Sequence, residues 1–316
     1  MTRNVRGLVV VLVLLCLGLV PPVTAALDEP FYLSLFARIM VFAIAALSLD
    51  MILGYGGLVS FGHAAYLGIG AYAVGILSHY GISDGFAHFA VAIIASALAA
   101  FVIGLISLRT TGVHFIMITL AFGQMAYFVG VSLNQFGGDD GMTIARHSNF
   151  HRLLDLDDAN VLYYCIFFFL VLFLALAARL VESHFGMVIR GARLNERRMA
   201  AIGFPTFRYK LTAFVISGTM CGVAGALFAN LTLFVSPAIM HWTRSGEILI
   251  MVLLGGVGSL FGPVLGAVFY LLLENVLPSV TEHWQAFLGP SLILIVLFAR
   301  RGIFGFLSGQ QEPSHG

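Results

Sequence analysis

The sequence predicts an all-α polytopic membrane protein. Hydrophobic residues make up 60% of its 316 residues and charged residues only 10%, whereas about 25% of the residues in soluble globular domains are charged. The apolar runs are long and continuous, unlike the alternating segments of about 10 residues in membrane β-barrels. We therefore expect one membrane domain over residues 1–316, with about nine or ten transmembrane or re-entrant helices.

Nine apolar segments give the order of these elements, and a complete span needs about 20 residues. The segments lie at about 7–27, 31–53, 63–80, 86–108, 113–133, 160–180, 211–235, 246–277 and 286–299. Residues 1–26 fit two interpretations, a cleaved signal peptide or a first membrane helix. We favour the uncleaved helix because the apolar run is close to spanning length.

The distribution of Lys and Arg orients the segments, since loops rich in these residues stay on the cytoplasmic side. Arg3 and Arg6 therefore place the N-terminus inside. Counting spans puts the loop at about 134–159, with five aspartates against two arginines, outside. The basic stretch at about 181–210 is then inside.

Two glycine-rich stretches interrupt the apolar segments: GGLVSFG at 56–62 and GGVGSLFG at 255–262. Corresponding interruptions in two halves of a chain indicate a pseudo-repeat around a central pathway. Irregular backbone at membrane depth is tolerated only where protein or a watery cavity satisfies its polar groups. The candidate pathway residues are Asp50, Gly56, Gly57, Ser60, Gly62, Gly255, Gly256, Gly258, Ser259 and Gly262.

The second glycine stretch also bears on topology. Arg300 and Arg301 belong on the cytoplasmic side, which requires the segment 246–277 to return to the side from which it entered. We expect two short helices, or a re-entrant hairpin, around the glycines. Both termini are then cytoplasmic.

Small residues recur at every fourth position in two places, a pattern that lets helix backbones approach closely. Gly218, Gly222 and Ala226 form one row. The other row is Gly258, Gly262 and Gly266. We favour packing within the chain over a dedicated dimer face.

Ionisable and polar side chains inside membrane segments are functional hypotheses by default. They are Arg38, Asp50, His63, His114, Gln124, Glu247 and Glu274. Asp50 and Glu247 precede the two glycine stretches and fit two interpretations. They could couple transport to ions; alternatively Asp50 accepts hydrogen bonds from the broken backbone and Glu247 lies near the outer interface. We favour the structural interpretation for both, and a helix-end position for His63 and His114.

Several functions are excluded by the motifs. The single lysine, Lys210, stands between Tyr209 and Leu211, so the Gly-Lys-Ser/Thr of a P-loop is missing and ATP must be bound by another subunit. Enzyme motifs with a nucleophile or a metal are missing, and we expect no catalytic residue, metal or cofactor. The cysteines Cys16, Cys165 and Cys221 have neither disulfide nor metal spacing.

The stretch Arg179–Lys210 holds seven of the sixteen Lys+Arg. Within it, Gly186 to Gly203 mixes apolar residues with arginines in the manner of a short amphipathic helix. Such a helix could dock into a cleft of a soluble ATPase. The alternative is a basic loop that only fixes topology or contacts anionic lipid.

Six blocks carry a resemblance to a known family. They are LSLDMILGYGGLVSFGHAAYLGIGAYAVGIL (47–77), LRTTGVHFIMITLAFGQM (108–125), GGDDGM (137–142), the stretch 186–229, EILIMVLLGGVGSLFGPVLGAVF (247–269) and RRGIFG (300–305). In this order they resemble the M-type permease subunits of branched-chain (hydrophobic) amino acid ABC importers.

The resemblance implies a bacterial inner-membrane assembly. The chain would pair with a second permease subunit as a heterodimer, with two cytoplasmic ATP-binding subunits and with a periplasmic substrate-binding protein. The family's ATPase-coupling segment corresponds here to Arg190, Arg193, Glu196, Ala200, Ala201 and Gly203, although the Glu-Ala-Ala…Gly motif of ABC permeases is kept only loosely. Val59 stands where many members have a polar residue.

Substrate identity is left open by the resemblance. Members are similar to carriers of leucine, isoleucine and valine, but also of aromatic amino acids, urea or short amides. An alternative function that needs no ATPase also remains: an ion-coupled secondary transporter or channel that works through Asp50 or Glu247.

Overall fold

A computed structural model describes residues 2–150, 155–280, 289–290 and 302–307. These residues form an all-α polytopic membrane protein. The helices are α1 (Thr2–Gly18), α2 (Val20–Leu27), α3 (Pro30–Leu53), α4 (His63–His79), α5 (Gly85–Ser107), α6 (Val113–Ser132), α7 (Ala159–Glu182), α8 (His184–Ala201), α9 (Thr206–Thr232), α10 (Trp242–Gly255), α11 (Gly262–Val280) and α12 (Gly302–Leu307). Two short strands, β1 (Met142–Thr143) and β2 (Phe234–Val235), pair antiparallel.

Five of the described helices are long and apolar enough to cross a membrane: α3, α5, α6, α7 and α9. The pair α1–α2 is bent by 41° and would be a sixth span if it crosses as one. The bend coincides with Pro21 and Pro22 in the first turn of α2, where a missing N–H removes no helical hydrogen bond. Whether this segment is cleaved stays a prediction.

The expected nine or ten membrane elements include helices too short to count as complete spans. The glycine stretches end α3 and α10 and leave α4 with 17 residues and α10 with 14. The predicted segment 286–299, with Arg300 and Arg301, lies outside the described residues except for 289–290.

The middle of the molecule is α3. In its most apolar 18-residue window 89% of the residues are buried, compared with 22–33% in α5, α6 and α7. The helices α5, α6 and α7 therefore face outward with apolar side chains. The helix α3 is enclosed by α4, α7, α9, α10 and α11.

The predicted small-residue packing within the chain is confirmed. A side chain at Gly222 would overlap Ser96 of α5, and one at Gly225 would overlap the Leu67 carbonyl of α4. The backbone of Gly222 lies in turn against Gly70. These glycines let α9 approach both neighbours closely.

The predicted return of 246–277 is also confirmed. A side chain at Gly266 would overlap the Met251 carbonyl, and one at Gly255 would overlap Gly262. These pairs place α10 and α11 side by side in antiparallel directions. The two helices form a hairpin whose turn is the second glycine stretch.

The helix α9 connects two ends of the molecule. It begins next to α8, and at its other end Thr232 is followed by β2, which pairs with β1 of the loop 134–159. We call these the α8 end and the strand end. The basic stretch and the aspartate-rich loop thus lie at opposite ends, as the charge distribution predicts.

Candidate functional site

The two glycine stretches, called here the first break (54–62) and the second break (255–262), meet at the α8 end of α3. The backbone of Gly258 lies directly against Gly54 and has a φ of 76°, which glycine tolerates best. Asp50 of α3, only 1% exposed, accepts a hydrogen bond from the Gly258 N–H at 2.8 Å. Its other oxygen, Oδ2, has no hydrogen-bond partner among the described residues.

The helix α8 reaches this junction through one side chain. Arg193 donates a hydrogen bond to the Gly54 carbonyl, which is left free where α3 ends. Its aliphatic stem passes Gly57, where a Cβ would be only 3.0 Å from Arg193 Cγ and φ is 69°. The structure therefore brings together the predicted coupling residue Arg193 and the predicted pathway residues Asp50, Gly57 and Gly258.

Backbone donors of the first break are satisfied by hydroxyl groups. Phe61 N–H donates to Thr119 of α6 at 3.2 Å, Gly62 N–H to Ser60 at 3.2 Å, and Ala64 N–H to Ser245 of α10 at 3.0 Å. The N-cap residue of α4, Gly62, has no side chain that could accept these bonds. Two neighbouring helices, and Ser60 of the break itself, therefore supply the acceptors that a helix start requires.

His63, the first residue of α4, extends this network and is fully buried. Its Nε2 lies 2.8 Å from Ser217 Oγ of α9, and the Ser217 hydroxyl donates to the Ser48 carbonyl of α3. Ser217 must therefore accept from Nε2–H, which leaves Nδ1 to accept from Ser60 at 3.2 Å. His63 joins α3, α4 and α9 through this chain of hydrogen bonds, in the helix-end position that the sequence predicts.

The second break is held mainly by its own atoms. Ser259 Oγ donates to the Gly256 carbonyl at 2.6 Å, and Gly262 N–H donates to the Ser259 carbonyl at 3.1 Å. Gly256 has a φ of 111°, and the backbone of Gly302 in α12 packs directly against it. These contacts make a tight turn between α10 and α11.

A kink divides α8 into two parts at Asn195, whose φ of −159° and ψ of 95° are not helical. The Asn195 side chain accepts from Arg198 N–H at 2.9 Å and so caps the second part. Glu196 accepts from Lys210 Nζ at 2.6 Å and from Thr206 at 3.1 Å, both in α9. The sequence predicts the amphipathic helix but not its kink.

The remaining predicted coupling residues have different surroundings. Arg190 donates to the Val181 carbonyl at 3.0 Å and closes the corner between α7 and α8. Ala200, Ala201 and Gly203 are exposed, and the φ of 95° at Gly203 follows the end of α8.

An apolar surface with basic neighbours is exposed at the α8 end. Leu194 is 87% exposed, and Ile202 and Phe204 are also exposed. Arg197 and Arg198 lie between them in the sequence and are exposed as well.

Sequence reasoning missed the hydroxyl residues that hold the first break, namely Thr119, Ser217 and Ser245, and the Ser48 carbonyl that accepts from Ser217. A lone Ser or Thr in an apolar helix usually donates to a carbonyl of its own helix, so its sequence position gives no signal of a tertiary role.

The favoured interpretation of Asp50 as an acceptor for broken backbone agrees with the structure, although the donor belongs to the second break. Glu247 pairs with Arg244 at 2.6 Å at the strand end.

Comparisons with known proteins agree with this architecture. Residues 31–297 match the family model described as branched-chain amino acid transport system / permease component. The chain is 28% identical over 300 residues to the high-affinity branched-chain amino acid transport system permease protein LivM of Escherichia coli (strain K12), covering 88% of this chain and 71% of that protein.

More distant relatives match as well. A probable branched-chain amino acid transport permease protein LivM of Methanocaldococcus jannaschii is 27% identical over 271 residues, 75% of this chain and 78% of that protein. The autoinducer 2 import system permease protein LsrC of Photorhabdus laumondii is 28% identical over 135 residues, 40% of each chain. No solved structure matches at a significant level.

The family model covers far more than half of the chain, and its named relatives are transport permeases. This multi-pass membrane protein therefore belongs to the family of permease components of branched-chain amino acid transport systems.

Proposed function

We propose that this chain is the membrane-spanning permease subunit of an ATP-driven ABC importer for branched-chain or other hydrophobic amino acids. A periplasmic binding protein delivers the substrate at the strand end, and two cytoplasmic ATP-binding subunits act at the α8 end. The chain itself binds no cofactor, since ATP is bound by its partners. It forms a single permease domain in the bacterial inner membrane, with both termini in the cytoplasm.

The observation that carries this proposal is the bond from Arg193 to the Gly54 carbonyl. It connects an exposed amphipathic helix to the place where two interrupted helices meet. A force on α8 from a soluble partner therefore acts directly on the first break, and through Asp50 and Gly258 on the second.

A second connection runs through α9. Glu196 in the second part of α8 is bonded to Lys210 and Thr206 at the start of α9. Further along α9, Ser217 is bonded to His63 at the start of α4. Displacement of α8 would thus move α9 and α4 together, since packed helices transmit displacement as rigid elements.

The exposed surface at the α8 end suits a soluble partner better than lipid alone. Leu194, Ile202 and Phe204 offer apolar contact area, and exposed arginines lie between them. An ATPase cleft with apolar walls and an acidic rim would bury the apolar residues and form ion pairs with the arginines. A second permease would cover part of the outward apolar faces of α5, α6 and α7.

The test has two parts. The tagged protein is purified in mild detergent from its native membrane, and mass spectrometry identifies what comes with it. We expect P-loop ATPases and a second permease. A chain that purifies alone, stable and monodisperse, would contradict the importer function.

The second part replaces Arg193 by Ala in the reconstituted complex. Uptake should fall by about tenfold or more while ATP hydrolysis continues, because one charge-assisted hydrogen bond contributes about 1.5–3 kcal/mol. Arg109→Ala is the matched control, an exposed arginine in the loop between α5 and α6. Equal uptake in both variants would exclude the Arg193 connection.

One observation favours a second candidate, an ion-coupled transporter. The unpartnered Oδ2 of buried Asp50 could take up a proton or a cation near the two breaks. In liposomes that contain this chain alone, such a transporter would show substrate-driven proton flux that Asp50→Asn abolishes. The importer shows no such flux without its ATPases.

A further inference from the structure

A cavity of about 170 Å³ opens at the strand end, in the part of the chain that the structure describes. Two arginines from α3 and α10 lie in its wall beside aromatic and aliphatic side chains. The residues that matter here are Arg38, Phe42, Phe228, Phe234, Ile239 and Arg244. We call this cavity the Arg38 pocket.

The guanidinium of Arg38 is largely unused by the protein. Its one ion pair among the described residues is with Glu274 at 3.8 Å, and its buried Nε has no hydrogen-bond partner there. The Arg38 side chain is 39% exposed, so it can be reached from the cavity. Arginine presents five donors in a planar fork that matches a carboxylate in two parallel bonds. An arginine with free donors in the wall of a cavity is well suited to bind a carboxylate.

The second arginine is already paired, since Arg244 donates to Glu247 at 2.6 Å. The wall around Arg38 thus contains two arginines and, just behind, two carboxylates, Glu247 and Glu274. Both signs of charge are present and they balance. Such a setting suits a zwitterion better than a simple anion, because a net-neutral cluster does not attract anions over a distance.

Apart from the hydroxyl residues Thr232 and Ser236, the rest of the wall is apolar. Phe42 lies under the Arg38 guanidinium, 5.8 Å from it, and packs edge-on against Phe228. Phe234 and Ile239 complete a surface that would bury a hydrocarbon side chain. An α-amino acid with an apolar side chain fits both halves of the pocket.

The position of the pocket along α3 is informative. Arg38 is 16 residues before Gly54, so the pocket is about 24 Å along α3 from the Arg193 contact, at 1.5 Å per residue. It therefore lies at the end of the molecule opposite α8. The end opposite an ATPase is the end at which an external substrate arrives.

We propose that the Arg38 pocket is an entry site that binds the carboxylate of an apolar α-amino acid through Arg38, with the hydrocarbon side chain against Phe42, Phe228 and Phe234. This inference rests on the proposed importer function and specifies its substrate class at one site. It assigns Arg38 a binding role that is separate from the coupling junction at Asp50 and Arg193.

The experiment measures binding to the purified complex in lipid nanodiscs, without the binding protein. Three probes share one hydrocarbon part: L-leucine, L-leucine methyl ester, which lacks the carboxylate, and 4-methylpentanoate, which lacks the ammonium group. We expect L-leucine to bind about tenfold or more tighter than either analogue, as lost charge-assisted bonds require.

Variants separate recognition from structure. Arg38→Met should weaken L-leucine binding to the level of the methyl ester and leave the methyl ester unaffected. Should Arg38→Met fail to fold because Glu274 loses its partner, Arg38→Gln with Glu274→Gln removes both charges together. Arg146→Ala, an exposed arginine in the loop 134–159, is the matched control and should bind all three probes like the wild type.

Other outcomes overturn the proposal. Unchanged L-leucine binding in the Arg38 variants, equal weakening of all three probes, or no binding to the wild type at millimolar concentration would each exclude the entry site. Uptake of L-leucine by the full complex with its binding protein is measured separately in proteoliposomes. Absent uptake contradicts the proposed function. Normal uptake without L-leucine binding at the Arg38 pocket contradicts only this inference.

Discussion

The two breaks have similar sequences but are held in different ways. Backbone N–H groups at the first break donate to the hydroxyls of Thr119 and Ser245, and His63 donates to Ser217. The second break is a compact turn bonded to itself, with the carboxylate of Asp50 as its side-chain tie to α3 among the described residues. Similar glycine patterns therefore do not imply similar mechanics.

This difference assigns separate roles to the breaks. The first is anchored at once to α3, α6, α9 and α10, so it moves only when those helices move. The second can shift with α10 and α11 only if the Asp50–Gly258 bond and the bond from Ala64 N–H to Ser245 of α10 both open. We infer that the first break transmits displacement from α8 and that the second responds to it.

The largest effect should come from the compact turn. Gly255→Val places a branched side chain where the Gly262 backbone lies. Because backbone cannot move aside cheaply, we expect a loss above about 4 kcal/mol and failure to fold. Fluorescence-detected size-exclusion chromatography of the tagged protein measures this.

The matched change in the first break should be milder. Gly57→Ala meets only the flexible stem of Arg193 but strains a φ of 69°, which costs about 1–2 kcal/mol. Gly7→Val in α1, where a side chain would meet no described residue within 4 Å, should behave like the wild type. Equal damage from the Gly255 and Gly57 changes would contradict the compact-turn interpretation.

His63→Leu should be the most damaging side-chain change in the first break. It leaves the buried Ser60 hydroxyl without an acceptor, at about 1–3 kcal/mol, and removes one of the two hydrogen bonds of the Ser217 hydroxyl, which still donates to the Ser48 carbonyl. A clear drop in the melting temperature in detergent is expected. The control is His114→Leu, since His114 is exposed at the start of α6. A His63 variant as stable as this control would mean that the hydrogen-bond chain does not anchor α4.

Asp50 tests the tie between the breaks. Asp50→Ala leaves Gly258 N–H unbonded and should cost about 1–3 kcal/mol and most of the uptake. Asp50→Asn keeps an acceptor oxygen at the same place, so we expect this variant to retain most of the stability and most of the uptake. Loss of uptake in Asp50→Asn with full stability would instead support a role for the charge.

The fold was largely predictable because membrane helices can be recognised in a sequence by their length and apolarity. The bounds of α4 to α7 follow the apolar segments closely, and the glycine pattern predicted that α10 and α11 turn back. The kink at Asn195 was not predictable, since its backbone conformation depends on how Glu196 meets Lys210 and Thr206 in α9.

The site was predictable only in part. Glycines and charged residues in apolar segments are conspicuous, so Asp50 and Gly258 could be selected from sequence alone. Arg193 was selected as part of the basic stretch that resembles the coupling segment of the family. That Arg193 contacts Gly54, 139 residues away, is a property of helix packing and leaves no local trace. The same holds for Ser217, which looks like any hydroxyl residue in an apolar helix.

The smallest and sharpest test compares the serines at the fifth position of the two glycine patterns. Ser60 is fully buried, accepts from Gly62 N–H and donates to His63, so Ser60→Ala removes two bonds and should cost about 1–3 kcal/mol.

The Ser259 hydroxyl makes one bond among the described residues, to the Gly256 carbonyl, and the residue is partly exposed, so that water can replace the hydroxyl. We therefore expect Ser259→Ala to cost only about 0.5–1.5 kcal/mol. Melting temperatures of both variants in the same detergent decide the matter. If Ser259→Ala proved the more damaging of the two, the second break would be the anchored one, and the direction in which displacement passes between the breaks would have to be reversed.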